Sequence, residues 1–70
     1  MYRQPVSSSN IASIGYDEAT QTLEIEFLDN SVYQYFNVPA NIYEAIMAAP
    51  SHGVFLNANI KGQFAYERIC

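Results

Sequence analysis

Residues 22–27 read Thr-Leu-Glu-Ile-Glu-Phe, polar and apolar in strict alternation. A strand sends successive side chains to opposite faces. Leu23, Ile25 and Phe27 therefore face one way, and Thr22, Glu24 and Glu26 the other. One buried face and one wet face is the pattern of an antiparallel sheet, not of a parallel one covered on both sides. We expect the Glu24 and Glu26 carboxylates to lie on a solvated sheet face. The rest of the chain must then cover Leu23, Ile25 and Phe27.

The densest aromatic stretch follows at once, Ser31-Val-Tyr-Gln-Tyr-Phe-Asn-Val-Pro39. Asp29 and Asn30 tolerate the left-handed backbone of a tight hairpin, so a third strand is expected from Ser31. Its register has two solutions. A two-residue loop at Asp29-Asn30 sets Phe27 opposite Val32 and Leu23 opposite Phe36, which leaves Tyr33 and Tyr35 on the outer face with Glu26 and Glu24. A slip of one residue turns both tyrosines inward, exposes Val32 and Phe36, and releases Gln34 to solvent. Gln34 is the poorest core residue of the five, which favours buried rings with hydroxyls at the rim.

Residues 1–10 are polar, with Pro5 and a Ser7-Ser8-Ser9-Asn10 cluster, and read as an irregular lead-in. Ile11–Tyr16 reads as the first strand. Gly15 inside it signals a bulge or a close backbone approach, and residues 17–21 form its hairpin loop. Pro39 suits the first position of a helix, where its missing N–H costs nothing. Ile42, Tyr43, Ile46 and Met47 make one apolar stripe on that helix, and Pro50 stops it. Ser51 is placed to cap a second helix and Gly62 to end it. Residues 64–69 alternate and read as a short closing strand.

Seventy residues make one domain, spanning residues 1–70. A chain this short usually needs a staple, a metal or a partner subunit. Cys70 is the only cysteine, so no internal disulfide forms, and one histidine with one cysteine offers no zinc spacing. No cofactor is implied. Half the residues are apolar and only 14% are charged, and on this basis we expect a homo-oligomer. The net charge of −4 is the reverse of the usual nucleic-acid binder. No apolar run reaches the length of a membrane span. With no signal-peptide pattern and a lone thiol, the expected compartment is the cytoplasm.

No catalytic constellation emerges. Ser7, Ser8 and Ser9 sit in no nucleophile motif, and His52 has no paired carboxylate or nucleophile at a telling spacing. An enzyme is not expected. Ligand contact is the remaining chemistry. Tyr33 and Tyr35 either form a stacking platform for bases or pack across strands as aromatics ordinarily do. Asn57 and Lys61, four apart late in the second helix, share a face and with Arg68 could hold a phosphate or carboxylate. The plainer reading is a pair of cations placed favourably at a helix end.

A wider set of residues carries a family resemblance. It comprises Val6-Ser-Ser-Ser-Asn10, Ile14-Gly-Tyr-Asp17, Thr22-Leu23 with Glu26-Phe27, and Tyr33-Gln-Tyr-Phe36 followed by Val38-Pro39. Tyr43, Ala48-Ala49, Ser51 with Gly53, Asn57, Ile60, Phe64 and Tyr66 continue it. In this combination the chain resembles the KTSC domain, a short module found alone in bacterial and phage proteins and at the C-terminus of some lysyl-tRNA synthetases. Relatives look richer in Lys and Arg where this chain has His52, Ala58, Gln63 and Glu67, and Phe64 stands where a tyrosine is usual.

The expected fold is α+β: a three- or four-stranded antiparallel β-meander, then two short helices packed on one face. The expected function is a non-catalytic binding module. The resemblance implies RNA or a nucleotide as its ligand, with Tyr33, Tyr35, His52, Asn57, Lys61, Tyr66 and Arg68 as candidate contacts. The alternative is a self-assembling protein that makes protein–protein contacts or sequesters a small molecule between subunits.

Overall fold

A computed structural model describes all of residues 1–70. Five strands form one antiparallel sheet in the order β1-β2-β3-β4-β5. They are β1 (Arg3–Pro5), β2 (Ile11–Asp17), β3 (Thr22–Phe27), β4 (Val32–Tyr35) and β5 (Tyr66–Arg68). Two helices, α1 (Ala40–Ala48) and α2 (His52–Asn59), lie between β4 and β5 in the chain. The α+β meander is as the sequence implies, with five strands in place of three or four. The extra strand is β1, inside the stretch read as an irregular lead-in. It pairs with β2 from Arg3↔Gly15 to Pro5↔Ser13. Proline is tolerated there because β1 is an edge strand.

Gly15 marks a close approach and no bulge. A Cβ at Gly15 would stand 2.6 Å from the Tyr2 carbonyl oxygen, so only glycine lets β1 lie this close. The irregularity in β2 falls between Ile11 and Ser13 instead.

The β3–β4 hairpin decides which rings face the helices. Its turn is closed by Asn30 N–H donating to Phe27 O at 3.0 Å and Phe27 N–H to Ser31 O at 2.8 Å. Asn30 takes φ 73°, in the left-handed region. This is a three-residue loop, 28–30, and not a two-residue one. Leu23 consequently pairs with Tyr35 and Ile25 with Tyr33, so the tyrosines share the inner face. Val32, expected to become exposed in this register, is buried instead.

The inner face meets the helices in a core of Ile11, Ile14, Leu23, Ile25, Tyr35, Val38, Ile46, Leu56 and Ile60. Each fully buried aliphatic side chain contributes about 1.5–3 kcal/mol of transfer free energy. Tyr16 and Tyr43 stack beside it with ring centroids 4.9 Å apart. The Tyr16 hydroxyl donates to Val38 O at 2.5 Å, tying the sheet to the segment that enters α1.

Helix boundaries follow their caps. Pro39 is extended (φ −69°, ψ 154°) and stands as the N-cap of α1, one position before the place expected for it. Ser51 Oγ accepts from Val54 N–H and caps α2. Helix α2 ends at Asn59 with Ile60 as its C-cap, so Lys61 lies beyond the helix and does not share a helical face with Asn57. Gly62 follows at φ +80° in the turn toward β5.

The outer face of the sheet departs from the solvated surface expected. Glu24 is only 5% exposed. Arg3 Nη1 forms an ion pair with Glu24 Oε2, and Gln34 Nε2 donates to Glu24 Oε1 at 2.8 Å. Arg3 Nε donates to Ser13 Oγ at 3.0 Å, and Ser13 Oγ donates to Glu26 Oε1 at 2.8 Å. A buried carboxylate is tolerable only when paired and hydrogen-bonded in this way. The second Arg3–Glu contact, to Glu26, is looser at 3.9 Å.

Candidate functional site

The clearest concavity opens between β4, β5 and the turn after α2. It has a volume of about 550 Å³ and is lined by Phe27, Ser31, Tyr33, Tyr35, Lys61, Gly62 and Tyr66. Strand alternation brings the rings together. Tyr33 and Tyr35 are two apart on β4, and Tyr66 pairs with Tyr35 from β5. The Tyr66 ring leans on both, with centroids 5.9 Å from Tyr33 and 5.8 Å from Tyr35. Phe27 meets Tyr33 edge to face at 5.7 Å.

The charge in this cleft is positive. Lys61 Nζ sits 5.5 Å from the centre of the Phe27 ring, a cation–π distance, and no carboxylate lines the cleft. Asp29, the nearest turn acid, is engaged by Ser31: Ser31 Oγ–H donates to Asp29 Oδ1 at 2.6 Å and Ser31 N–H at 3.0 Å. The Ser31 hydroxyl first, then its N–H and the Arg68 charge, hold the Asp29 carboxyl below its ordinary value. Burial, then the neighbouring Tyr33 and Tyr66, push the Tyr35 phenol up. It is therefore a neutral hydrogen-bond donor at physiological pH. Tyr35 is 2% exposed as a residue, yet no buried side-chain oxygen or nitrogen lacks a partner. Its hydroxyl makes no bond within the protein and so reaches the cleft.

Of the seven candidate contacts, Tyr33, Tyr35, Lys61 and Tyr66 converge here. Arg68 pairs with Tyr33 across β4–β5 and lies at the margin, its Nε donating to Cys70 O at 2.8 Å. Asn57 is exposed on α2 and does not line the cleft. His52 lies elsewhere: its Nδ1 is 2.8 Å from Ile46 O. A carbonyl only accepts, so Nδ1 carries the proton, and His52 adds a second donor to the Ile46 carbonyl, which also accepts from Ala49 N–H at the end of α1. Phe27 and Ser31 belong to the cleft and are absent from the sequence-derived set. Phe27 was legible as an inward strand residue, but nothing in its spacing separates a cleft wall from core.

A family model described as the KTSC domain matches residues 7–64. The chain belongs to the KTSC domain family. A KTSC domain protein from Yersinia pestis superposes with a TM-score of 0.96 at 46% identity, covering 99% of this chain and 97% of that one. A lysine–tRNA ligase from Nostoc punctiforme is 46% identical over 61 residues, 87% of this chain. This chain spans only 11% of that ligase's length. A protein from Tsukamurella paurometabola is 41% identical over 61 residues, 91% of its own length. The KTSC domain thus occurs both as most of a short protein and as a small part of a long one. It is a small domain with no catalytic activity assigned to it. No helix of this KTSC domain is long and apolar enough to cross a membrane.

Proposed function

We propose that this KTSC domain is a binding module whose aromatic cleft takes a nucleotide or a short single-stranded RNA segment. The observation that carries the reading is the convergence of Tyr33, Tyr35 and Tyr66 beside the Lys61 ammonium in one cleft. Bases stack on accessible rings such as Tyr33 and Tyr66, each contact worth about 1–3 kcal/mol by alanine substitution, the buried Tyr35 offers its hydroxyl, and the ammonium matches a phosphate as a point charge. The relationship to a lysine–tRNA ligase supports a nucleic-acid ligand. The scarcity of cations favours a short ligand over long RNA, because phosphate neutralisation dominates the affinity of long strands.

The test is a titration of the intact chain with adenosine monophosphate and with a single-stranded hexanucleotide, followed by amide NMR at low salt. Shifts should centre on Tyr33, Tyr35, Lys61 and Tyr66. With Lys61 and Arg68 the only cations near the cleft, log affinity should fall with log salt at a slope of about −1.4 for a single strand. Lys61→Glu should abolish binding. Absence of any shift at low salt rules the reading out.

A second reading rests on the sheet edge. Strand β5 is an open edge on which Tyr66 is 61% exposed, Ile69 just beyond it is 46% exposed, and unpaired edges recruit further strands. On that reading β5 pairs with a second copy. Light scattering decides it: a dimer mass that Ile69→Lys returns to one chain supports pairing, and a monomer at about 100 μM, where a standard interface would be assembled, removes it.

A further inference from the structure

A second concavity lies at the opposite end of the sheet and shares no residue with the first. It has a volume of about 410 Å³, and its walls include Tyr2, Tyr16, Tyr43, Asp17 and Glu18. Here the carboxylates are in excess. The side-chain charges in the lining are the Asp17 and Glu18 carboxylates, no lysine or arginine reaches it, and the one cation among its walls is the Met1 α-ammonium. The nearest arginine, Arg3, alternates to the other face of the sheet and is held there by Glu24.

The rings are fixed in advance. Tyr16 and Tyr43 lie 8° from parallel with centroids 4.9 Å apart, and the Tyr16 hydroxyl is anchored on Val38 O. Tyr2 is 82% exposed and stands free beside them. The Tyr16 phenol is pushed up by burial first, and then by Glu18 and Asp17, so the field of both carboxylates reaches this ring. Aromatic faces carry a negative quadrupole that attracts a cation, and the two carboxylates add to that attraction. The chain holds no group of three side chains able to hold a metal ion. A wide aromatic cleft suits a bulky, weakly hydrated cation better than a small, strongly hydrated one.

We propose that this cleft binds a small organic cation of the alkylammonium class, against the ring faces of Tyr2 and the Tyr16–Tyr43 pair and beside Asp17 and Glu18. The two concavities then differ in preference: the Lys61 cleft favours an anionic group, and the Tyr16–Tyr43 cleft a cationic one. Neither depends on the other being occupied.

The test uses choline chloride as the probe on the intact, isotope-labelled chain, followed by amide NMR. Two controls run beside it: sodium chloride at equal ionic strength, and 3,3-dimethyl-1-butanol, the uncharged carbon analogue of choline. Choline alone should give saturable shifts at Tyr2, Asp17, Glu18 and Tyr43. Tyr2→Ala and Glu18→Gln alter exposed side chains and leave the core untouched; each should weaken choline about two- to fivefold. Equal shifts with the uncharged analogue or with sodium chloride would overturn the proposal. So would unchanged affinity in both variants, or no saturable shift up to about 100 mM.

Discussion

Tyr35 lies directly opposite Leu23 across the β3–β4 pair. That pairing turns Tyr33 and Tyr35 toward the helices and makes the aromatic cleft. It follows from a single backbone conformation, Asn30 at φ 73°, which lengthens the loop by one residue and shifts every later side chain to the other face.

The turn is therefore the first place to test. Asn30→Gly should hold stability within about 1 kcal/mol, because glycine accepts positive φ without strain. Asn30→Val should lose about 1–2 kcal/mol, the cost of left-handed backbone for a branched residue. Urea unfolding midpoints measure both. Equal midpoints for the two variants would contradict the turn.

Arg3 latches the edge strand over a buried acid. Arg3→Ala strands the Glu24 carboxylate and should cost about 2–3 kcal/mol. The figure lies below that for a fully buried pair because the Arg3 side chain is 29% exposed. Adding Glu24→Gln should recover part of the loss, since the neutral amide costs less to bury. A double variant no more stable than Arg3→Ala would show that the charge is not what the latch holds.

Gly15→Ala should detach β1. The new Cβ would meet the Tyr2 carbonyl at 2.6 Å and the Arg3 Cα at 3.3 Å, and backbone cannot yield as a flexible side chain does. The expected loss is about 1–3 kcal/mol, as for overpacking, with faster amide exchange in residues 3–5 than in β3. Unchanged exchange in β1 would count against the close approach.

Two phenols tie stability to alkaline pH. Burial first, with nearby charges adding, raises both Tyr16 and Tyr35 above the ordinary 10.0. The folded state holds these protons more tightly than the unfolded chain. Their contribution is complete below pH 10 and is lost as pH rises through the folded values. Tyr16→Phe should lose about 1 kcal/mol at neutral pH with the Val38 bond, and should flatten the alkaline limb of stability against pH. Ring-carbon NMR titration reads each phenol directly. Ionisation of either ring at or below 10.0 would refute its burial as the cause.

How far the sequence could be read is clearest in the strands. The alternation of Leu23, Ile25 and Phe27 identified the inner face of β3, because strand periodicity is local. Residues 3–5 carry no such pattern, and β1 exists only because Gly15 on the adjacent β2 and Glu24 on β3 accept it. Glu24 and Glu26 looked alike as alternate polar residues, yet only Glu24 is buried. The difference lies in Arg3 and Gln34, which are 21 and 10 residues away in the chain.

The sequence alone determined the β3 alternation, the helix stop at Pro50, the Ser51 cap, and an aromatic run able to build a cleft. Those properties depend on residues within one or two turns of each other, where covalent geometry and local hydrogen bonds act. The tertiary structure decided which tyrosines meet. Tyr66 reaches Tyr33 and Tyr35 only after two helices have returned the chain to the edge of β4. It also separated His52 from the cleft by giving its Nδ1 to a helix-end carbonyl. Convergence of this kind depends on the global packing of the core, which brings together residues that no local period relates.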